Sequence, residues 1–164
     1  MKRRAVFGTL LVAFLLGLSA SGQTPASPQN QASSERIQKI LGFDLSKTTM
    51  HFWLLKSGGA IEIVAKDAND PTTVNAIRKY LEREAKEWGK GNFDTVYALH
   101  GKDIDGVAGM KKYRDDITFD PKSIDGGGAL RLFTFNDTAR QAIQAYIRSE
   151  INEYHTGDPT QVTD

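Results

Sequence analysis

The chain has no cysteine, only three histidines and two tryptophans, and almost no charge excess of either sign. Each shortage removes a class of function. Without cysteine there is no thiolate catalysis, no iron–sulfur cluster and no cysteine-rich zinc site, and stability must come from packing rather than disulfides. A formal charge of +1 over 164 residues is a poor electrostatic match to nucleic acid. Lys111, Lys112 and Arg114 do cluster, but Asp115 and Asp116 follow at once, as at a solvated helix end. No G-x-S-x-G turn presents a nucleophile, and Ser57 before Gly58-Gly59 belongs to a turn. Asp103, Asp105, Asp115 and Asp116 lack calcium-loop spacing. No catalytic residue and no cofactor are assigned.

Long apolar runs are also scarce. The one near the start, Ala5 to Leu18, follows Lys2-Arg3-Arg4 and precedes the small residues Ala20-Ser21-Gly22. Its 14 residues fall short of the roughly 20 that a membrane span needs, so residues 1–22 read as a signal peptide. Its removal takes three positive charges and no negative ones, which moves the formal charge from +1 to −2. A periplasmic or secreted protein, free of the membrane after cleavage, is expected. Residues 23–32, with Pro25 and Pro28 among amides and serine, read as a disordered linker. Residues 33–158 then form a single domain, and 159–164 a polar tail.

What the domain has in abundance is self-similarity. Gly58-Gly59-Ala60-Ile61-Glu62-Ile63-Val64 reads like Gly127-Gly128-Ala129-Leu130-Arg131-Leu132-Phe133. Downstream, Ala76-Ile77, Tyr80, Glu84 and Glu87 align with Ala142-Ile143, Tyr146, Glu150 and Glu153. Two copies are too few for a solenoid, but they suit a pseudo-symmetric sheet carrying two helices.

The walk along the chain agrees. Ser33-Ser34 begin a short helix over Ile37, Ile40 and Leu41, stopped by Gly42. Met50 to Lys56 and Ala60 to Lys66 flank the turn Ser57-Gly58-Gly59 as a hairpin. Phe52, Leu54, Ile61 and Ile63 would share one of its faces. Asp70 caps the next helix with Pro71 in its first turn, and Val74, Ile77, Leu81, Ala85 and Trp88 form its stripe. The segment 93–109 reads as an irregular connection before a short helix around Met110 to Arg114. A second hairpin joins Ile117 to Phe119 with Ala129 to Phe135, around Asp125 to Gly128. Asn136 or Asp137 caps a last helix with Ala139, Ile143, Tyr146, Ile147 and Ile151 inward. The expected fold is α+β, a four-stranded antiparallel sheet from two pseudo-symmetric ββα halves with helices on one face.

Two sets of residues stand out as candidate sites. If the helices cover one sheet face, Trp53, Glu62, Val64, Arg131 and Phe133 lie on the other, with Leu55 and Phe135. That aromatic face needs a cover: the N-terminal helix, the 93–114 connection, a second subunit in a homodimer, or a ligand. The second set is His51, His100 and His155, possible metal or haem ligands, although no two stand at ligand spacing. His155 also suits the C-terminal end of the last helix as a cation. The composition thus favours a non-catalytic binding or interaction domain for an unknown ligand or protein partner. A histidine-linked metal or haem binder and a small hydrolase-like enzyme are the alternatives.

Gly59 to Ile63, Ile77-Arg78-Lys79, Gly91-Asn92-Phe93, His100, Met110 and His155-Thr156-Gly157-Asp158 together resemble a family of small exported bacterial proteins. The resemblance covers roughly residues 50–158. Members are sometimes labelled aspartate carbamoyltransferase, yet the family carries no established activity. That label does not suit this chain. Such an enzyme is considerably longer and cradles its phosphate with Ser-Thr-Arg-Thr at a helix start, where this chain offers at best Asp137-Thr138-Ala139-Arg140. Family members often carry histidine where this chain has Tyr80 and Gln144. If they bind a metal there, the resemblance implies that this chain has lost those ligands.

Overall fold

The computed structural model of the chain describes residues 28–163. Residues 1–22, expected to form a signal peptide, and the expected linker up to residue 27 lie outside the described residues. Helix α1 spans Pro28–Leu41, so residues 28–32, expected in the linker, belong to its first turns. A single 3-10 turn, Leu45–Lys47, leads into strand β1, Thr48–Leu55, and β2 follows at Gly58–Ala65. Helix α2 is Pro71–Gly89, α3 Asp94–His100 and α4 Val107–Lys112. A 3-10 turn at Arg114–Asp116 opens β3, Ile117–Ile124, which is followed by β4, Gly127–Thr134, and α5, Asp137–Tyr154. The protein is an α+β fold with one four-stranded antiparallel sheet in the order β1-β2-β4-β3. Among the described residues no helix is long and apolar enough to cross a membrane.

The caps explain where the two long helices begin. Asp70 Oδ1 accepts from the amides of Thr72 and Thr73, both at 3.1 Å, with Pro71 in the first turn. Asn136 does the same for Thr138 and Ala139, at 2.9 and 3.1 Å, so the cap is Asn136 and not Asp137.

Both hairpins close with two-residue turns, Lys56-Ser57 and Asp125-Gly126. The glycine pairs expected in those turns lie instead inside β2 and β4. A Cβ on Gly58 or Gly127 would run into the backbone of the neighbouring strand, 2.1 Å from the Leu132 carbonyl oxygen and 2.0 Å from that of Ile63. The second glycine of each pair makes room for a helix. A Cβ on Gly59 would sit 2.8 Å from Ile147 of α5, and one on Gly128 would sit 2.9 Å from Leu81 of α2. The third strand also runs further than expected, to Ile124 and through Pro121. Proline is tolerated there because β3 is an edge strand, where a missing N–H leaves no ladder bond unmade. The connection after Phe93 holds α3, a helix that the sequence did not announce. Its first residue carries no side-chain cap, although Asn92 Oδ1 accepts from the Asp94 amide at 3.0 Å.

Register puts Phe52, Leu54, Ile61, Ile63, Leu130 and Leu132 on one face, all buried. Helix α5 lies against β1 and β2, and α2 against β3 and β4. Arg78 ties α2 to the second hairpin by donating to the carbonyls of Gly127 (2.8 Å) and Ile124 (2.9 Å). Helix α1 packs on α2 and α3, and α4 on α5. The N-terminal helix is therefore part of the helix layer, with Leu41 buried in the core, and does not cover the outer sheet face as one expectation had it.

Ile77, Leu81, Ile143 and Ile147 are at most 1 % exposed and form the centre of the core. Truncating Ile77 or Ile143 to Ala should cost about 2–5 kcal/mol, read by chemical denaturation. Losses near those of surface substitutions, below about 0.5 kcal/mol, would mean that these helix faces do not pack on the sheet.

Candidate functional site

Two stripes run along each long helix. On α2 the aliphatic stripe Ile77-Leu81-Ala85 faces the sheet, and one residue earlier at each step lie Tyr80 and Glu84. On α5 the stripe Ile143-Ile147-Ile151 is likewise accompanied by Tyr146, Glu150 and Tyr154. A one-residue offset turns a side chain by about 100° around the axis. The second stripes therefore face along the sheet, toward the space between the helices.

That space is a cavity of about 30 Å³ open to water centres, room for roughly two waters. Its floor is Phe52, Ile61, Ile63 and Leu130 from the sheet, and α3 closes it with Val96, Leu99 and His100. Aromatic rings make much of the wall. Trp88 meets Tyr146 edge-on at 5.6 Å, and Tyr154 stacks on Phe52 at 5.9 Å and meets His100 edge-on at 5.9 Å.

Three polar atoms here have no hydrogen-bond partner among the described residues: Glu84 Oε2, Trp88 Nε1 and Glu150 Oε1. Glu84 is 1 % exposed and Glu150 3 %. A buried polar atom left unpaired costs about 1–3 kcal/mol, and more for a charged group. The other oxygen of Glu84 accepts from Arg83 Nε at 3.1 Å. His100 Nε2 lies 3.2 Å from Glu150 Oε1, close enough for an ion pair but without hydrogen-bond alignment. On its other side, His100 Nδ1 is 3.9 Å from Glu153, which Lys102 holds at 2.9 Å.

Electrostatics follow from this burial. Burial raises the Glu84 carboxyl above its ordinary range, against the pull of Arg83 and weaker polar approaches from Thr95 and Trp88. The Glu150 carboxylate raises the His100 imidazole, against its burial. Burial first, then the carboxylate of Glu84 or Glu150, pushes the Tyr80 and Tyr146 hydroxyls well up, so both stay neutral donors.

The sequence-derived candidates lie elsewhere, His100 excepted. His51 Nδ1 is 2.9 Å from Asp158 Oδ1, while Asp158 Oδ2 accepts from the Phe52 amide, also at 2.9 Å. His155 is exposed and ends α5 in a left-handed conformation, φ 50°. The three histidines thus have three different neighbourhoods. Among the described residues no group of three or more His, Asp or Glu side chains could hold a metal ion. Trp53, Glu62, Val64, Arg131 and Phe133 do share the outer sheet face: Trp53, Glu62 and Val64 are half-buried, Arg131 is exposed, and Phe133 is 37 % exposed. Phe133 meets the exposed Phe135 edge-on at 4.7 Å. The sequence reading passed over Glu84 and Glu150 as a site, although one signal was present. Each is a carboxylate four residues after a tyrosine and four before an aromatic, beside an apolar stripe, in both helices.

The chain matches no family model, no curated protein and no solved structure.

The raised groups fix a pH dependence. Folding favours the protonated form of Glu84 and of His100. Their stabilising contributions are complete below the ordinary values of 4.5 and 6.5 and are lost as pH rises through the higher folded values. Asp158 and Glu153 act oppositely. Hydrogen bonds from His51 and the Phe52 amide outweigh burial to depress Asp158, and Lys102 depresses Glu153, so their contributions vanish in acid. Stability should therefore peak in weak acid and fall between about pH 5 and 8. His100→Gln should flatten the part of that fall above the ordinary histidine value. A wild-type stability that rises over this interval would contradict the assignment.

Proposed function

We propose that this chain is an exported, non-catalytic binding domain whose small-molecule site is the cavity between α2, α3 and α5. The observation that carries this reading is the set of three buried polar atoms without a hydrogen bond, Glu150 Oε1 being held only at ion-pair distance by His100, around a space walled by aromatic rings. Most cavities lined by such rings are apolar and dry, whereas native proteins rarely leave buried polar groups unmet without a reason. Specificity in ligand pockets comes from a few convergent polar groups on largely apolar walls, and this lining has that character. Export is read from the leader-like residues 1–22. The internal repeat read from the sequence pairs Tyr80 and Glu84 with Tyr146 and Glu150, so each half of a pseudo-symmetric domain would supply one side of the site. Nothing in the arrangement sets a nucleophile against a base, which favours binding over turnover.

A group kept for a ligand should burden the free protein. Replacing a buried ion pair with apolar side chains is often neutral or stabilising, by up to about 4 kcal/mol. Arg83, the partner of Glu84, is half-exposed, so removing Glu84 alone leaves no buried charge behind. Glu84→Met should therefore raise the melting temperature of the ligand-free domain, measured by calorimetry near neutral pH. A marked loss of stability would make Glu84 a structural residue and end this reading.

A second reading takes the outer sheet face as a protein interface, favoured by the exposed Phe133–Phe135 pair beside Trp53. Glu62 and Arg131 on that face offer opposite charges, as a self-complementary dimer requires. Phe133→Glu should then convert a dimer to a monomer in sedimentation; a wild type monomeric at high concentration would exclude the homodimer.

A further inference from the structure

We propose that the outer edge of β1 accepts an extended acidic peptide as a fifth strand, in competition with the tail that follows α5. In an antiparallel pair, alternate residues turn their backbone groups away from the neighbouring strand. On β1 these residues are Met50, Phe52 and Leu54, because the Phe52 amide and the Leu54 carbonyl bond to the tail and not to β2. Each residue carries one N–H and one carbonyl. Of the groups that face outward, the tail answers the Phe52 amide with Asp158 Oδ2 at 2.9 Å. It answers the Leu54 carbonyl with the Thr163 amide at 2.7 Å and the Thr163 hydroxyl at 3.1 Å. Among the described residues, no tail group reaches the Met50 backbone, the Phe52 carbonyl or the Leu54 amide.

The tail is a poor strand. It meets β1 in one isolated bridge, from Thr163 to Leu55. Between its two contacts, residues 159–162 are exposed, and its large apolar side chain, Val162, is 40 % exposed. Beyond the bonds to β1, His51 Nδ1 meets Asp158 Oδ1 at 2.9 Å and Arg148 donates to the Thr160 carbonyl at 3.2 Å. A segment held by a few polar bonds, with little apolar burial, is among the first parts of a fold to open. The opposite edge is guarded differently. Strand β3 carries Pro121 between Asp120 and Lys122, and proline and charge on an edge block strand addition for good. Thr48 to Leu55 has no proline, glycine or lysine, and Thr, Phe and Trp favour strands. Its guard is a segment that can leave.

Charge defines the peptide. An open groove of about 340 Å³ runs beside the first half of β1, lined by Thr48, Met50, His51, Lys66 and Thr156 among others. Lys66 and His51 are its basic groups, and no carboxylate lines it. Glu62 lies across from His51 but on β2, one strand further in. Asp158 already shows a carboxylate seated against His51. Side chains alternate between the faces of a strand. A peptide that alternates acidic and apolar residues therefore sets carboxylates beside His51 and apolar groups beside Met50 and Tyr154.

The test titrates residues 23–164 against a fluorescein-labelled peptide, Thr-Val-Glu-Val-Glu-Val-Thr, read by anisotropy. The paired variant Asp158→Ala with Thr163→Pro removes the tail's hold on β1. It should bind at least about tenfold more tightly than the wild type, because a tethered competitor is lost. The same peptide with lysine for glutamate should bind at least about tenfold more weakly. A peptide N-methylated throughout, which has no amide to donate, should not saturate. In the wild type, the outward Met50 and Leu54 amides should exchange hydrogen quickly and slow under saturating acidic peptide. That readout decides the matter if the paired variant does not fold. Equal affinity of the two proteins, or unchanged exchange at these amides, would overturn the proposal. So would equal binding of the lysine or N-methylated peptide. A paired variant that ignores the peptide but dimerises in sedimentation would give the edge to a second copy and overturn the peptide.

Discussion

Everything on the helix side of the sheet depends on how closely α2 and α5 can approach it, and glycine sets that distance. Ile143 and Ile147 of α5 rest over Gly59, and Leu81 of α2 rests over Gly128. A single methyl group at either glycine would overlap these side chains and force them to shift. The close contact fixes which face of each helix points at the sheet. It thereby fixes the adjoining stripe of tyrosine, glutamate and ring, about 100° around the axis. Large rings further along each helix, Trp88 on α2 and Tyr154 on α5, fill the same layer with far more volume than the glycines leave. The cavity sits among those rings, beyond the contact points, with its floor supplied by Ile61, Ile63 and Leu130.

This arrangement separates two kinds of burial that compete for the same interior. The aliphatic stripes stabilise the fold at about 25 cal/mol per Å² of apolar surface removed from water. The glutamates oppose it, since a buried carboxylate is tolerated only where partners replace water. Glu84 has one such partner for one oxygen, and Glu150 has an imidazole at ion-pair distance without alignment. Natural cores keep groups of this kind at sites where activity and stability trade against each other. The raised Glu84 carboxyl and raised His100 imidazole are consequences of that compromise.

Much of the scaffold was legible because it is written in local rules. The caps at Asp70 and Asn136, the period of Ile77-Leu81-Ala85, and the alternation in Phe52-Leu54 and Ile61-Ile63 all act over a few residues. The glycine pairs were seen but misplaced, because in a sequence a glycine that admits a helix looks the same as one that makes a turn. Pro121 hid most of β3, since proline argues against a strand unless the strand is known to be at an edge. The site was harder still. Glu84 on α2, Glu150 on α5 and His100 on α3 come to line one cavity only once the helices are laid side by side. On a helical wheel, each glutamate borders the apolar stripe and passes for the start of the solvated face.

The histidines show the converse, where a conspicuous residue has a modest task. Strand β1 is an edge, and its outward-facing backbone groups would pair with any passing strand. The segment after α5 prevents this. Asp158 takes the Phe52 amide, the Thr163 amide donates to the Leu54 carbonyl at 2.7 Å, and Thr163 bridges Leu55 in parallel. His155 turns the chain out of α5 by adopting a left-handed conformation, and His51 holds the Asp158 carboxylate in place. His155-Thr156-Gly157-Asp158 thus reads as an edge clamp rather than as metal ligands. The same clamp bears on the interior. Tyr154, the last residue of α5, both precedes this turn and walls the cavity, so the tail that guards β1 also positions a side chain between the cavity and the outer groove.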